Sequence, residues 1–179
     1  MVQLLLENNA DVNKQDEVLS WTPLQYADKS GSSFTILGLL LEYNANPKEL
    51  QDTRKKLENY EQAFIEGTFV MAIEHNFVSL ICYMIQNGIP LDQKLPCDNC
   101  RVTKGYTTIF HKSVLSEKFN IASKLFEMGA NVDILESSEN TALHLASRDG
   151  RIEAVKFLVS LKCNIEPQNS DGDTPLHLA

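Results

Sequence analysis

The chain has 179 residues, 43% apolar and 22% charged, a composition that predicts a packed core and excludes a disordered or fibrous polymer. Its 24 acidic and 16 basic residues leave a net charge of −8, which repels phosphate backbones and argues against a nucleic-acid partner. No apolar run nears the roughly 18 to 20 residues of a membrane span, and the Met1 region lacks the basic flank of a signal peptide. Four cysteines are too few for a disulfide scaffold, so a soluble chain in a reducing, cytoplasmic compartment is expected, without membrane contact.

In chain order, five helix-period apolar clusters stand out, and each wants a neighbouring helix to bury it. They are Leu4–Leu6, Leu39–Leu41, Tyr83–Ile85, Leu125–Phe126 and Phe157–Val159. A short phrase follows each cluster: Asn9-Ala10-Asp11-Val12-Asn13, Asn44-Ala45-Asn46-Pro47, Gly88-Ile89-Pro90-Leu91-Asp92, Gly129-Ala130-Asn131-Val132-Asp133 and Lys162-Cys163-Asn164-Ile165-Glu166. Gly at the head of the phrase suits a left-handed residue closing a helix, and Asn is the usual second choice. Lys162 at that place is a strain flag. Near the end, Thr141-Ala142-Leu143-His144-Leu145-Ala146 returns 33 residues later as Thr174-Pro175-Leu176-His177-Leu178-Ala179. Self-similarity at that period predicts a stacked repeat.

The repeated hexapeptide resembles the ankyrin repeat, in which Thr-Pro-Leu-His-x-Ala opens the first of two antiparallel helices. The resemblance implies an all-α ankyrin-repeat solenoid, stacked antiparallel helix pairs joined by hairpin loops. Registered on the five phrases, first helices begin near Thr22, Gly67, Thr108, Thr141 and Thr174, at intervals of 45, 41, 33 and 33 residues. The longer intervals carry insertions outside the stack: residues 48–64, rich in helix formers and expected as a surface helix, and residues 93–106, turn-rich and expected as a loop. The expected organisation is a truncated repeat at 1–16, repeats at 17–47, 65–92, 107–135 and 136–168, and the start of another at 169–179. A fragment of a longer array is the corresponding expectation.

His111, His144 and His177 occupy the fourth place of the hexapeptide, where the resemblance implies a structural bridge to the neighbouring hairpin. Gln25 and Val70 take that place in the earlier repeats, and Val70 has no group to bond with. Cys97-x-x-Cys100 has the spacing of half a zinc site or of a redox pair, but lacks convincing further ligands, so neither metal nor cofactor is expected; inert thiols and a loop disulfide remain open. No phosphate loop, nucleophile elbow or zinc-protease signature is present, and no enzymatic activity is expected.

In ankyrin-like proteins partners contact hairpin tips and the ends of first helices. Carried onto this sequence, those positions include Val18, Leu19, Trp21, Lys104, Ser138, Asn140, Asp171 and Asp173 at the tips. Lys29, Glu74, His75, Leu115, Arg148 and Asp149 lie at the helix ends. Trp21 beside two aliphatic residues has the composition of an interface anchor, unless it folds back onto its own hairpin. Mixed charge signs predict a polar groove for a protein or peptide. The resemblance therefore implies a non-catalytic interaction scaffold; the alternatives are the repeat segment of a latrotoxin-like secreted toxin or membrane channel, or the substrate-recruiting array of a multidomain enzyme.

Overall fold

The computed structural model describes residues 1–29, 34–51, 53, 55, 62–97 and 105–179. They form two compact units, Met1–Ile89 and Pro90–Ala179.

The first unit contains α1 (Val2–Glu7), α2 (Pro23–Lys29), α3 (Phe34–Glu42), a 3₁₀ turn at Pro47–Glu49, α4 (Gln62–Glu74) and α5 (Val78–Gln86). Helix α3 packs against α2, α4 and α5, and α4 packs on α5. The apolar clusters supply the core: Leu37, Leu40 and Leu41 of α3 meet Ile65, Phe69 and Ile73 of α4 and Leu80 and Met84 of α5, all buried. Each such side chain contributes roughly 1.5–3 kcal/mol by leaving water. Gly38 permits the close approach of α3 to the α4–α5 corner, since a Cβ there would lie 2.1 Å from the Phe77 ring.

The second unit opens with antiparallel strands β1 (Lys94–Pro96) and β2 (Tyr106–Thr108), paired Lys94 with Thr108 and Pro96 with Tyr106. It continues with α6 (Ile109–Leu115), α7 (Phe119–Glu127), α8 (Ala142–Arg148), α9 (Ile152–Ser160) and the short α10 (Pro175–Leu178). Helices α6 and α7 pair, as do α8 and α9, while the first helices α6, α8 and α10 stack in order. Ile109, Phe110 and Val114 bury against Ile121, Leu125, Ala142 and Ala146. The small Ala142 and Ala146 let the stacked first helices approach one another.

All five second helices end in the same way, and this explains the five phrases. Gly129 N–H donates to Phe126 O at 2.9 Å and Ala130 N–H to Leu125 O at 2.9 Å, the paired bonds of a Schellman cap. The same pair closes the helices at Asn9/Ala10, Asn44/Ala45, Gly88/Ile89 and Lys162/Cys163. The first residue of each pair is left-handed, with φ of 61° at Asn9, 64° at Asn44, 99° at Gly88, 98° at Gly129 and 60° at Lys162. The second residue is apolar, and Ala45, Ile89, Ala130 and Cys163 are buried under the helix end. Lys162 thus adopts the strained conformation its sequence position flags.

Beyond the caps, loop side chains tie adjacent repeats together. Asn13 Nδ2 donates to Asn44 O at 3.3 Å and its Oδ1 accepts Asn46 N–H at 3.1 Å, while Asp133 Oδ1 accepts Asn164 N–H at 3.0 Å.

Three expectations need correction. The segment at 48–64 is not merely a surface helix. Leu50 is fully buried, its carbonyl accepts the Tyr83 hydroxyl at 3.2 Å, and Thr53 donates from both N–H and hydroxyl to Asp28 Oδ1 at 2.9 and 2.6 Å. One buried leucine and a buried carboxylate with matching donors fasten the insertion into the first unit. Helix α4 begins at Gln62, so Gly67 lies inside it, five residues after its start. No Thr caps that place; Thr68 instead turns its hydroxyl back to Phe64 O at 2.7 Å within the helix. Of the expected loop at 93–106, residues 98–104 lie outside the described residues, while its two ends pair as the β1–β2 ladder, extended by Cys97 N–H donating to Gly105 O at 3.1 Å.

Candidate functional site

The second unit's capping boxes set the site's geometry. Thr141 Oγ1 accepts His144 N–H, and His144 Nδ1 accepts Thr141 N–H at 3.2 Å. Because Nδ1 accepts, the proton sits on Nε2, which donates to Asp173 O at 3.0 Å in the next hairpin. His111 repeats the arrangement, with Nδ1 against Thr108 Oγ1 at 2.8 Å and Nε2 donating to Asn140 O at 3.3 Å. Both bridges span 29 residues, so each imidazole fixes the hairpin ahead of the next first helix. Burial pushes the His111 imidazole down to about 4, against smaller upward pulls from the Asn140 carbonyl and the Glu136 carboxylate. His111 is therefore a neutral structural strut. His177 completes the series with Nδ1 at 2.7 Å from Thr174 Oγ1.

The hairpins so fixed are rigid in themselves. Asn169 Oδ1 accepts the N–H groups of Asp171 and Asp173, both at 3.0 Å, and its Nδ2 donates to Asn140 Oδ1 at 2.9 Å. Asn140 Nδ2 in turn donates to Glu136 Oε1 at 2.8 Å, which also accepts Asn140 N–H at 3.3 Å. The chain Glu136–Asn140–Asn169 thus locks two successive hairpins into one wall. Opposite it lie the ends of the first helices, with Lys112 and Leu115 on α6, Leu145 and Arg148 on α8, and Leu178 on α10.

Between these walls is a cleft of about 340 Å³. It gathers seven positions marked in the sequence: Leu115, Ser138, Asn140, Arg148, Asp149, Asp171 and Asp173. Asn140, however, is buried and spends its amide and carbonyl on internal bonds, so it builds the wall more than it presents a surface. The sequence reading missed Lys112, Glu136, Leu145, Arg151, Asn169 and Leu178, which also line the cleft. The period would have found two of them, because Glu136 and Asn169 stand 33 residues apart, as do Asn140 and Asp173.

In the first unit, Val18 and Leu19 stand exposed at a hairpin tip. Asp16 staples that turn by accepting N–H from Val18 and Leu19 at 2.7 Å each and from Trp21 at 2.9 Å. The Leu19 N–H is the largest of the influences holding the Asp16 carboxyl below its ordinary range. Trp21 does not project as an anchor; it is half-buried and meets the Tyr26 ring edge-on at 5.2 Å. Lys29, Glu74 and His75 are exposed, the His75 ring stacking on Phe77 at 5.4 Å. Lys104 lies outside the described residues. At the His place of the earlier repeats, Gln25 makes the local cap, its Oε1 accepting Thr22 N–H at 2.8 Å and its own N–H donating to Thr22 Oγ1 at 3.4 Å, while Val70 sits mid-helix.

Cys97 is disulfide-bonded, Cys82 and Cys163 are thiols, and Cys100 lies outside the described residues. Among the described residues no group of three or more His, Cys, Asp or Glu is placed to hold a metal ion, and no helix is long and apolar enough to cross a membrane.

A family model described as ankyrin repeats in three copies matches residues 110–179. Inversin of Canis lupus familiaris is 36% identical over 66 residues, covering 37% of this chain and 6% of inversin. The Drosophila melanogaster tyrosine-protein kinase Shark is 30% identical over 130 residues, covering 66% of this chain and 14% of the kinase. The chain thus spans only a small part of the length of these relatives. The crystal structure of the human ASB11 ankyrin repeat domain superposes with a TM-score of 0.54 at 25% identity, covering 99% of this chain and 70% of that domain. The Thr–His capping boxes, the recurring Schellman caps and these matches together give the chain the ankyrin-repeat fold, with residues 110–179 matching the family's repeats.

Proposed function

We propose that this chain is a non-catalytic protein-interaction module, and that a protein or peptide partner occupies the cleft of its second unit. Ankyrin repeats are in general protein-binding scaffolds, and the cleft carries the reading to particular residues. The observation behind it is the convergence of Leu115, Arg148, Asp149, Asp171 and Asp173 on one concavity of about 340 Å³, whose walls are held by internal hydrogen bonds. A rigid cleft binds without first losing the entropy of ordering itself, which favours affinity from a small contact. Leucines on the helix side offer an apolar floor and the polar hairpins offer specificity.

The test is affinity capture with the intact chain beside Leu115→Asp and Arg148→Glu variants, after circular dichroism and thermal melting establish that both variants fold. Partners retained by the parent chain and lost by both variants support the reading. A partner set indifferent to both changes removes the cleft from the function. The exposed Val18–Leu19 tip is the second surface to examine, and a partner sensitive only to Val18→Asp would move the interface to the first unit.

A further inference from the structure

The cleft's two walls carry opposite charge. On the hairpin side stand Asp171 and Asp173, with the buried Glu136 behind them bonded to Asn140 and Ser137, and on the helix side Lys112, Arg148 and Arg151. Asp149 also lies on the helix side, where it pairs with Arg148 at 2.9 Å across a partly exposed contact that solvent screens. The sorting follows from the fold. Acidic residues recur in the hairpins, whereas Lys112 and Arg148 fall in the last turns of α6 and α8, where a cation complements the helix dipole. Arg151 pairs its Nη1 with Glu117 Oε1 at 3.6 Å, while its buried Nε has no hydrogen-bond partner among the described residues.

We infer that the occupant of this cleft is an extended peptide segment in which basic and acidic side chains alternate, the basic ones facing the hairpin wall and the acidic ones the helix wall. This inference rests on the cleft being the binding surface. In an extended strand successive side chains point to opposite sides, so adjacent residues meet opposite walls. A basic–acidic step therefore satisfies both walls at once, while two adjacent like charges set one of them against its own sign. A nucleic acid would bring one sign to both walls and meet the hairpin carboxylates. A uniformly basic or uniformly acidic peptide is likewise matched on one side only.

Two octapeptides of identical composition provide the test: one with Lys and Glu alternating, the other with four Lys followed by four Glu. Each carries a fluorophore and is titrated with the intact chain by fluorescence anisotropy at low and at high salt. The alternating peptide is expected to bind about tenfold more tightly than the block peptide, with the difference shrinking as salt rises. Swapping one wall, with Lys112→Glu and Arg148→Glu, should erase the preference. Swapping the other wall as well, with Asp171→Lys and Asp173→Lys, should restore it, since the strand can turn over. Equal binding of the two peptides, no binding of either, or indifference to the single-wall swap overturns the inference. Partner capture that still depends on Leu115 and Arg148 in that case would leave the cleft as the interface and discard only its charge pattern.

Discussion

The two units build the same helix pairs by different local means. In the second unit Thr141 and His144 start their first helix with reciprocal side-chain bonds, Thr108 Oγ1 accepts the His111 N–H, and both imidazoles reach the next hairpin through Nε2. In the first unit Thr22 and Gln25 exchange the same reciprocal bonds, Val70 has no polar side chain to make them, and α4 begins five residues before the expected place. Yet α2–α3 and α4–α5 pair and bury their leucines, isoleucines and Phe69 as completely as the second unit buries its own apolar residues. Apolar periodicity and Schellman caps therefore specify the helix pair. The Thr–His signature adds hairpin placement, and with it the rigid wall of the cleft.

The sharpest way to break this comparison is to open equivalent cavities in both units. Phe69 of α4 and Phe110 of α6 are both fully buried, and Phe69→Ala and Phe110→Ala should each cost about 3–5 kcal/mol in urea denaturation. A first-unit cost far below the second would mean that packing does not replace the missing signature.

Acid separates the units next. The unfolded His111 imidazole binds its proton near 6.5 and the folded one only near 4. Between those values the unfolded chain holds more protons, so stability is fully present above about 6.5 and falls as the pH drops toward 4. The total loss is up to about 3 kcal/mol. Melting curves from pH 7.5 to 4 measure it, and His111→Gln should remove this component of the slope while Gln25→Ala should not. A slope unchanged by His111→Gln would remove His111 from the account of acid lability.

The smallest effect concerns the caps. Lys162 has φ of 60° where the equivalent Gly129 has 98°. Lys162→Gly should stabilise by about 0.5–1 kcal/mol, because relief of left-handed strain outweighs the added freedom of the unfolded chain. Gly129→Ala should destabilise by about 1 kcal/mol in the same assay. Opposite signs at these matched positions would sharpen the claim that one cap geometry serves every repeat.

Much of this was legible in the residues because the information is local. The 3.6-residue apolar period locates the second helices, and the left-handed caps follow from Gly or Asn at a helix end. The capping boxes are three-residue relationships. The cleft was partly legible too: the ankyrin resemblance, carried onto the 33-residue register, placed Leu115, Arg148, Asp171 and Asp173. What escaped depends on partners remote along the chain. Leu50 and Thr53 read as surface helix until Tyr83 and Asp28 are seen beside them. Asn140 read as a hairpin tip until His111 and Asn169 are seen to consume it.

By itself, then, the sequence determined the repeat, its helix pairs, and its strained and relaxed caps, because each depends on residues within one or two turns of each other. Only the tertiary structure decided that the first insertion joins the core, that Trp21 turns back onto Tyr26, and that acidic hairpins face basic helix ends across a single cleft. Those outcomes depend on which distant groups desolvate together, and burial energies of that kind are not written in any short stretch of chain.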